Sequence, residues 1–131
     1  MARTKKAPVK EEPKKPAKPT PTEARATAKN VKVTPRKARL VIDLVRGKDV
    51  SEALAILKRT NKAASEIVAK VIKSAAANAV NNFKFDESKL YVAAIYANDG
   101  LRMRRYLPRA KGSASGLVKR NSHITCVIKV R

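Results

Sequence analysis

The sequence predicts an α+β fold in which three helices pack on a small antiparallel sheet and a long β-hairpin protrudes from it. Three stretches repeat apolar residues at the spacing of an amphipathic helix. Two later stretches alternate apolar and polar residues as strands do, and a strongly basic segment separates them. With 131 residues, the chain has the size of a single domain.

The first 23 residues differ in composition from the rest of the chain. They contain five of the seven prolines, seven cations and three acids, and Val9 is their only branched aliphatic residue. Because this segment offers so little apolar surface to a core, we predict a disordered Lys/Pro-rich tail over residues 1–23. Residues 24–131 are then the single folded domain.

The first helix is predicted within TPRKARLVIDLVRG, residues 34–47, after a short edge strand at residues 28–33. Thr34 has the N-cap position, Pro35 the first helical position, and Gly47 lies just past the end. One helix face is apolar and should pack, with Ala38, Val41, Ile42 and Val45 on it. The other face meets solvent or phosphate and carries Arg36, Arg39, Asp43 and Arg46.

Two more helices and two strands follow. Asp49 and Glu52 have the spacing of a capping box that opens a short second helix, which ends near Thr60. The third helix keeps an apolar stripe to about Asn82 and should form the spine of the core; the stripe comprises Ala64, Ile67, Val68, Val71, Ile72, Ala75 and Ala79. Residues 90–97 and 123–130 then alternate with period two, which predicts strands.

The basic segment between the two strands is the strongest functional signal. Residues 100–120 contain seven cations and no acid. Pro108 disfavours a helix and two glycines permit turns, so we predict that the strands continue as a hairpin arm over residues 98–120. The predicted RNA contacts here and at the start of the second strand are Arg102, Arg104, Arg105, Arg109, Lys111, Lys119, Arg120 and His123. A solvated basic loop is the alternative interpretation.

The overall charge indicates the class of partner. Thirty-one Lys and Arg against ten Asp and Glu leave a net charge of +21, which favours binding to a nucleic acid. No apolar run approaches the roughly 20 residues that span a bilayer, and the first residues lack an apolar signal segment, so we expect a cytoplasmic protein with no membrane partner. A lone cysteine cannot supply a multi-cysteine metal site, and no cofactor motif is present.

Catalysis is not expected from the residues available. His123 and Cys126 are the only residues of their types, and a three-residue offset along a strand directs them to opposite faces. The alternatives from other classes are a DNA-compacting protein with a histone-like tail and a basic enzyme acting on RNA. The tail holds only seven of the 31 cations, which disfavours the first, and no acidic pair or nucleophile supports the second.

Four separated motifs resemble a known family. TPRKARLVIDLVRG, LKRTNKAA, MRRYLPRAKG and SHIT are similar, in order, to the bacterial-type large-subunit ribosomal protein twenty-two family, and the resemblance covers residues 24–131. It implies a structural component of the large subunit that binds ribosomal RNA, aids assembly and extends a hairpin to the wall of the peptide exit tunnel. The implied partners are large-subunit ribosomal RNA, neighbouring ribosomal proteins and the nascent peptide.

The resemblance also implies roles for particular residues. It assigns RNA contacts on the first helix to Arg36, Lys37 and Arg39, to which the exposed face adds Arg46. At or near the hairpin tip, beside the tunnel, it places Met103, Arg104, Arg105, Arg109 and Lys111.

Overall fold

The computed structural model describes residues 22–131, which form three helices and one three-stranded antiparallel sheet. The elements are β1 (Glu23–Val31), α1 (Pro35–Ile42), α2 (Val50–Arg59), α3 (Ala63–Phe83), β2 (Leu90–Pro108) and β3 (Ala114–Val130). The predicted fold class is confirmed. Of the predicted tail, residues 1–21 lie outside the described residues, and Glu23 already belongs to β1, where it pairs with Lys129.

The strands lie in the order β1–β3–β2, so β3 is central and the other two are edges. The edge strand predicted at residues 28–33 runs in fact from Glu23 to Val31. Its inward side carries Ala24, Ala26 and Ala28, and alanine is a weak strand former. The alternation that marks this strand was therefore hard to recognise in the sequence.

The core lies between the sheet and the helices. α3 contacts β1 and β3, and its small buried residues Ala75 and Ala79 let the helix approach the sheet closely. The apolar faces of the three helices line this core, and from the sheet it receives Ala24, Leu90, Val92, Ile95, Ala97, Ile124, Cys126 and Ile128.

α1 is shorter than predicted, because it ends at Ile42 and turns fill the remaining positions up to Gly47. In these turns the Leu44 and Val45 amides donate to carbonyls three residues back, at 3.3 and 3.1 Å. Gly47 then adopts a left-handed backbone with φ +78°, which glycine adopts without strain.

The predicted capping box at the start of α2 is wrong. Asp49 has the N-cap position, but its side chain makes no capping hydrogen bond. Its carboxylate instead accepts a hydrogen bond from Arg131 at 3.3 Å, and Glu52 accepts one from Lys48 at 2.6 Å. Both acids are thus paired with cations and not with the backbone amides of the first helical turn.

The outer edge of β2 is covered by the segment that follows α1. The Gly47 amide donates to the Val92 carbonyl, and the Val92 amide donates to Lys48, both at 2.9 Å. Farther along, Arg46 Nη2 donates to the Ile95 carbonyl at 3.2 Å. Unpaired strand edges promote association between chains. This cover therefore protects the part of β2 that belongs to the three-stranded sheet from pairing with another chain.

Candidate nucleic-acid interface

β2 and β3 continue beyond the three-stranded sheet as a two-stranded arm, as predicted. The arm pairs residues 102–108 with residues 114–120, from Arg102 opposite Arg120 to Pro108 opposite Ala114. A β-bulge between Asp99 and Arg102 separates this ladder from the core. At about 3.3 Å per residue, seven paired residues span roughly 20 Å.

A tight turn at residues 109–113 forms the tip of the arm. The Arg109 amide donates to the Ser113 carbonyl at 2.8 Å, and the Ser113 amide donates to the Ala110 carbonyl at 3.3 Å. Lys111 and Gly112 both adopt left-handed backbone, with φ 55° and 71°. Arg109 and Lys111 thus occupy the tip itself.

Met103, Arg104 and Arg105 lie part-way along the arm, between the bulge and the tip. Cross-strand pairs share a face, so the register divides the side chains of the arm into two sets. One face carries Arg102, Arg104, Tyr106, Val118 and Arg120. The other carries Met103, Arg105, Leu107, Leu117 and Lys119. Cations and apolar side chains are therefore mixed on both faces, and no acid lies in residues 100–120.

A basic groove lies where the arm leaves the core. This arm-root groove has a volume of about 470 Å³ and is lined by Lys32, Thr34, Met103, Arg105, Val118, Lys119, Arg120 and Asn121. Four of these residues are cations and none is acidic. Lys32 and Thr34 come from the connection between β1 and α1, so the groove joins the arm to the core.

Asp99 lies at the root of the arm and is the only acidic residue in residues 90–120. Arg102 Nη2 donates to its carboxylate at 2.7 Å and lowers the pKa of Asp99, and the charges of Arg39 and Arg120 act in the same direction. The structure thus brings together three of the predicted RNA-binding cations around a single acid. Arg102 is the member that the acid engages directly.

The four cations predicted on or after α1 divide into two pairs. Arg36 and Lys37 are exposed, and within residues 22–131 neither side chain forms a hydrogen bond or an ion pair. Arg39 donates from Nε and Nη2 to the Ala97 carbonyl at 3.2 and 3.1 Å, and Arg46 bonds to β2 and to Asp43. Only the first pair has its donors fully available to a partner.

His123 has a structural partner inside the protein. Its Nδ1 accepts a hydrogen bond from the Asn30 amide at 3.0 Å. Asn30 has a left-handed backbone with φ 54° and sits where the β1 register shifts between Ala28 and Val31. The imidazole therefore holds the irregular end of β1, and in its neutral form the remaining nitrogen, Nε2, carries the proton.

Cys126 is fully buried on the core face of β3, and burial raises the pKa of its thiol to about 12. Such a thiol stays protonated at neutral pH and is inert as a nucleophile. His123 lies three residues away on the opposite face, as predicted. Among residues 22–131, no group of three or more His, Cys, Asp or Glu side chains could hold a metal ion.

Sequence reasoning missed Lys32 and Thr34 as residues of the basic surface. Both precede α1, where Lys32 belongs to no motif and Thr34 is predicted only as the helix N-cap. Only the tertiary placement of that connection beside the arm brings them into the arm-root groove. None of the helices in the described part of the chain is long and apolar enough to cross a membrane.

Comparison with known proteins places most of the chain in one family. Residues 26–129 match the family described as ribosomal protein L22p/L17e. The large ribosomal subunit protein uL22 of Clostridium novyi (strain NT) is 59% identical over 109 residues, which are 83% of this chain and 98% of that relative. The uL22 of Clostridioides difficile (strain 630) is 59% identical over 107 residues, 82% of this chain and 96% of the relative.

A third relative is the uL22 of Lactobacillus delbrueckii subsp. bulgaricus (strain ATCC BAA-365 / Lb-18). It is 57% identical over 105 residues, which are 80% of this chain and 90% of the relative. These matches define the class of protein as a structural constituent of the ribosome and not an enzyme. The chain belongs to the ribosomal protein L22p/L17e family. The family, the ribosomal location and the non-enzymatic character predicted from the sequence are thereby confirmed.

Proposed function

We propose that this protein is built into the large ribosomal subunit by binding large-subunit ribosomal RNA through its arm, the arm-root groove and α1. The observation that carries the proposal is the arm, where seven cations without an acid project from the core on two strands and the turn that joins them. A two-stranded ribbon gains little stability from its own contacts. A polyanion that neutralises these cations supplies the stabilising contacts that the arm lacks by itself.

Folded RNA fits the arm better than duplex DNA does. Both arm faces carry cations and exposed apolar side chains, so a partner must surround the arm to neutralise and cover them. A DNA duplex contacts such a ribbon from one side at a time, whereas folded RNA can enclose it with phosphates and unstacked bases. Arginine predominates over lysine on the arm, and its planar fork suits both kinds of contact.

The individual residues take graded roles in this proposal. Arg36 and Lys37 on α1 bind phosphates directly, as do Lys32, Lys119 and Arg120 of the arm-root groove, because none of these side chains forms a hydrogen bond or an ion pair within residues 22–131. Arg105 also lines the groove, but its guanidinium donates to the Arg104 carbonyl at 2.8 Å and to the Met103 sulfur at 3.7 Å, so it binds RNA in addition to these contacts. Arg39, Arg46 and His123 bind RNA only in addition to their contacts within the protein. Arg102 must share its guanidinium with Asp99.

The proposed position of the arm is the wall of the nascent-peptide exit tunnel, as the family resemblance implies. Arg109 and Lys111 at the tip then meet the nascent peptide, and Met103, Arg104 and Arg105 line the approach to it. The core remains outside, where it aids assembly and contacts neighbouring ribosomal proteins. Leu40 and Leu44, which are 71% and 47% exposed on the outer side of the core, are available for such protein contacts.

The test replaces Arg104 and Arg105 together with alanine and uses Lys70→Ala with Lys73→Ala on α3 as a control of equal charge. RNA binding by the arm variant should lose about 1.4 to 1.8 units of salt slope, since each of the two phosphate contacts contributes about 0.7 to 0.9. Its thermal unfolding should match that of the parent because both arginines are exposed. Assembled ribosomes carrying the arm variant should respond differently to drugs that bind in the tunnel.

Equal salt slopes for the arm variant, the α3 control and the parent would show that the arm is a solvated basic loop. Equal competition by duplex DNA and by large-subunit RNA fragments would favour the DNA-compacting alternative. An altered slope with an unchanged drug response would retain the RNA interface and remove the tunnel assignment.

A further inference from the structure

Tyr106 differs from the other two tyrosines of the chain in having no contact that holds it. The Tyr96 hydroxyl accepts a hydrogen bond from Arg25 at 3.0 Å, and the Tyr91 ring lies 5.8 Å from the Arg131 guanidinium carbon. Tyr106 is 85% exposed, and within residues 22–131 its hydroxyl makes no hydrogen bond. Folding therefore makes almost no use of this aromatic side chain.

The register leaves open space beside the Tyr106 ring. Its cross-strand partner is Gly116, which has no side chain, and a β-carbon built there would meet nothing within 4 Å. A larger partner would normally pack against an aromatic ring across the strands. At this position the strand pair instead leaves the ring accessible to a molecule outside the protein.

The neighbours of Tyr106 on the same face are suited to a nucleotide. Arg104 lies two residues before it on β2, and Val118 lies opposite Arg104 on β3. The same face carries two further cations, Arg102 and Arg120, nearer the core. An apolar ring with a guanidinium close by matches a base with its phosphate, because the base stacks and the phosphate is neutralised.

We infer that Tyr106 is a stacking platform for an unpaired base of the bound RNA, with Arg104 holding an adjacent phosphate. This inference rests on the proposed RNA-binding function and adds a specific contact to it. Stacking on an aromatic side chain tolerates any base, since every base has a π-face, so the contact selects unpaired nucleotides and not a sequence. The arm then recognises RNA in two physically different ways, by charge and by an accessible ring.

The first experiment compares Tyr106→Ala, Tyr106→Phe and Leu107→Ala in binding to large-subunit RNA fragments at several salt concentrations. Leu107 is the matched control, because it is the next residue along β2, lies on the opposite face and is 43% exposed. Tyr106→Ala should weaken binding about tenfold or more with an unchanged salt slope, because stacking releases no counterions. Tyr106→Phe should bind as the parent does, and Leu107→Ala should lose much less.

The second experiment uses the absence of tryptophan from the chain. The variant Tyr106→Trp carries a single tryptophan, whose fluorescence a stacked base should quench when RNA fragments with unpaired loops are added. A fully paired duplex of the same length should leave the fluorescence unchanged. Parent-like affinity for Tyr106→Ala, or no quenching at saturating RNA, would overturn the inference.

Quenching that appears only in translating ribosomes, and not with RNA alone, would assign Tyr106 to the nascent peptide and also overturn the inference. These failures can be told apart from a failure of the proposed function. If Arg104→Ala with Arg105→Ala lowers the salt slope while Tyr106→Ala has no effect, the arm binds RNA through charge alone. If neither variant has an effect, the RNA-binding role of the arm itself is wrong.

Discussion

Arg39 on α1 donates two hydrogen bonds to the carbonyl oxygen of Ala97 on β2, from Nε at 3.2 Å and from Nη2 at 3.1 Å. Ala97 belongs to an edge strand, so this carbonyl has no strand partner on its outer side. The guanidinium thus satisfies a backbone group that a fourth strand, added outside β2, would otherwise satisfy. Arg39, which its charge predicts as an RNA contact, therefore also stabilises the edge of the sheet.

Arg39→Ala should therefore destabilise the free protein. We expect the free energy of unfolding to fall by about 1 kcal/mol. Hydrogen bonds from charged donors are worth somewhat more than this, but the side chain of Arg39 is partly exposed, which weakens them. Arg36→Ala is the control and should stay within about ±0.5 kcal/mol. Urea unfolding of both variants measures the difference. In RNA binding Arg36→Ala should have the larger effect of the two variants. It should lower the salt slope by about one unit, and Arg39→Ala should lower it by less.

Asp99→Asn should strengthen RNA binding. The carboxylate engages Arg102 at 2.7 Å and adds a negative charge at the root of the arm, so its neutralisation frees a guanidinium and removes repulsion of phosphates. The salt slope should become steeper by up to about one unit. Glu66→Gln, which neutralises an acid paired with Lys70 on α3, should change the slope less. A weaker or unchanged slope for Asp99→Asn would show that Arg102 does not contact RNA.

Gly100→Ala should destabilise the junction between the core and the arm. An added β-carbon would lie 3.2 Å from the backbone of Asn121 and Ser122. This backbone belongs to β3, where Arg120 and Ser122, on either side of Asn121, are paired with Arg102 and Asp99. A cost of about 1 to 2 kcal/mol is expected for such overpacking. Gly116→Ala serves as the control, since its added β-carbon meets nothing within 4 Å. Equal unfolding midpoints for the two variants would mean that the bulge yields without cost.

Cys126 should make stability fall at alkaline pH. Burial raises the pKa of the thiol from 9.0 to about 12, so the folded state favours the protonated form. This contribution is complete below the ordinary pKa and is lost as the pH rises from about 9 towards 12. The difference in urea midpoint between the parent and Cys126→Ala should therefore shrink between pH 8 and pH values above 10. A constant difference would contradict the assigned burial effect.

Deleting residues 1–21 should leave the fold and incorporation into ribosomes intact. The buried core begins at Ala24, and β1 at Glu23, so the truncation removes no described contact. The thermal unfolding midpoint of the truncated chain should equal that of the full chain. A large decrease would show that the segment before Thr22 contributes to the core.

The sequence predicted the helices, the two long strands and the arm because their signals are local. Thr34, Pro35 and Gly47 mark the helix region, and the period of apolar residues distinguishes α3 from β3. The end of α1 was misjudged because pairing of Gly47 and Lys48 with Val92, a contact between distant parts of the chain, replaces the last helical turn.

The candidate site was predicted in its charge but not in its contacts. Composition identifies the basic arm, and the alternation along a strand already separates Arg104 from Arg105. Which β3 residues share a face with each of them follows only once the pairing is known. The roles of Arg39 and His123 within the protein depend on partners 58 and 93 residues away in the chain. No local pattern could reveal such partners.

β3 is a single strand that passes through two environments. In residues 122–130 it is hydrogen-bonded to β2 and mostly also to β1, with its inward side chains buried, whereas residues 114–120 pair with β2 alone and are largely exposed. Backbone amides in the first part should exchange with solvent only on global unfolding, and those in the second part through local opening that starts at the tip. The bulge beside Asp99 is the boundary between these regimes. The core can therefore keep its native structure while the arm opens, closes and adjusts its shape around the molecule that encloses it.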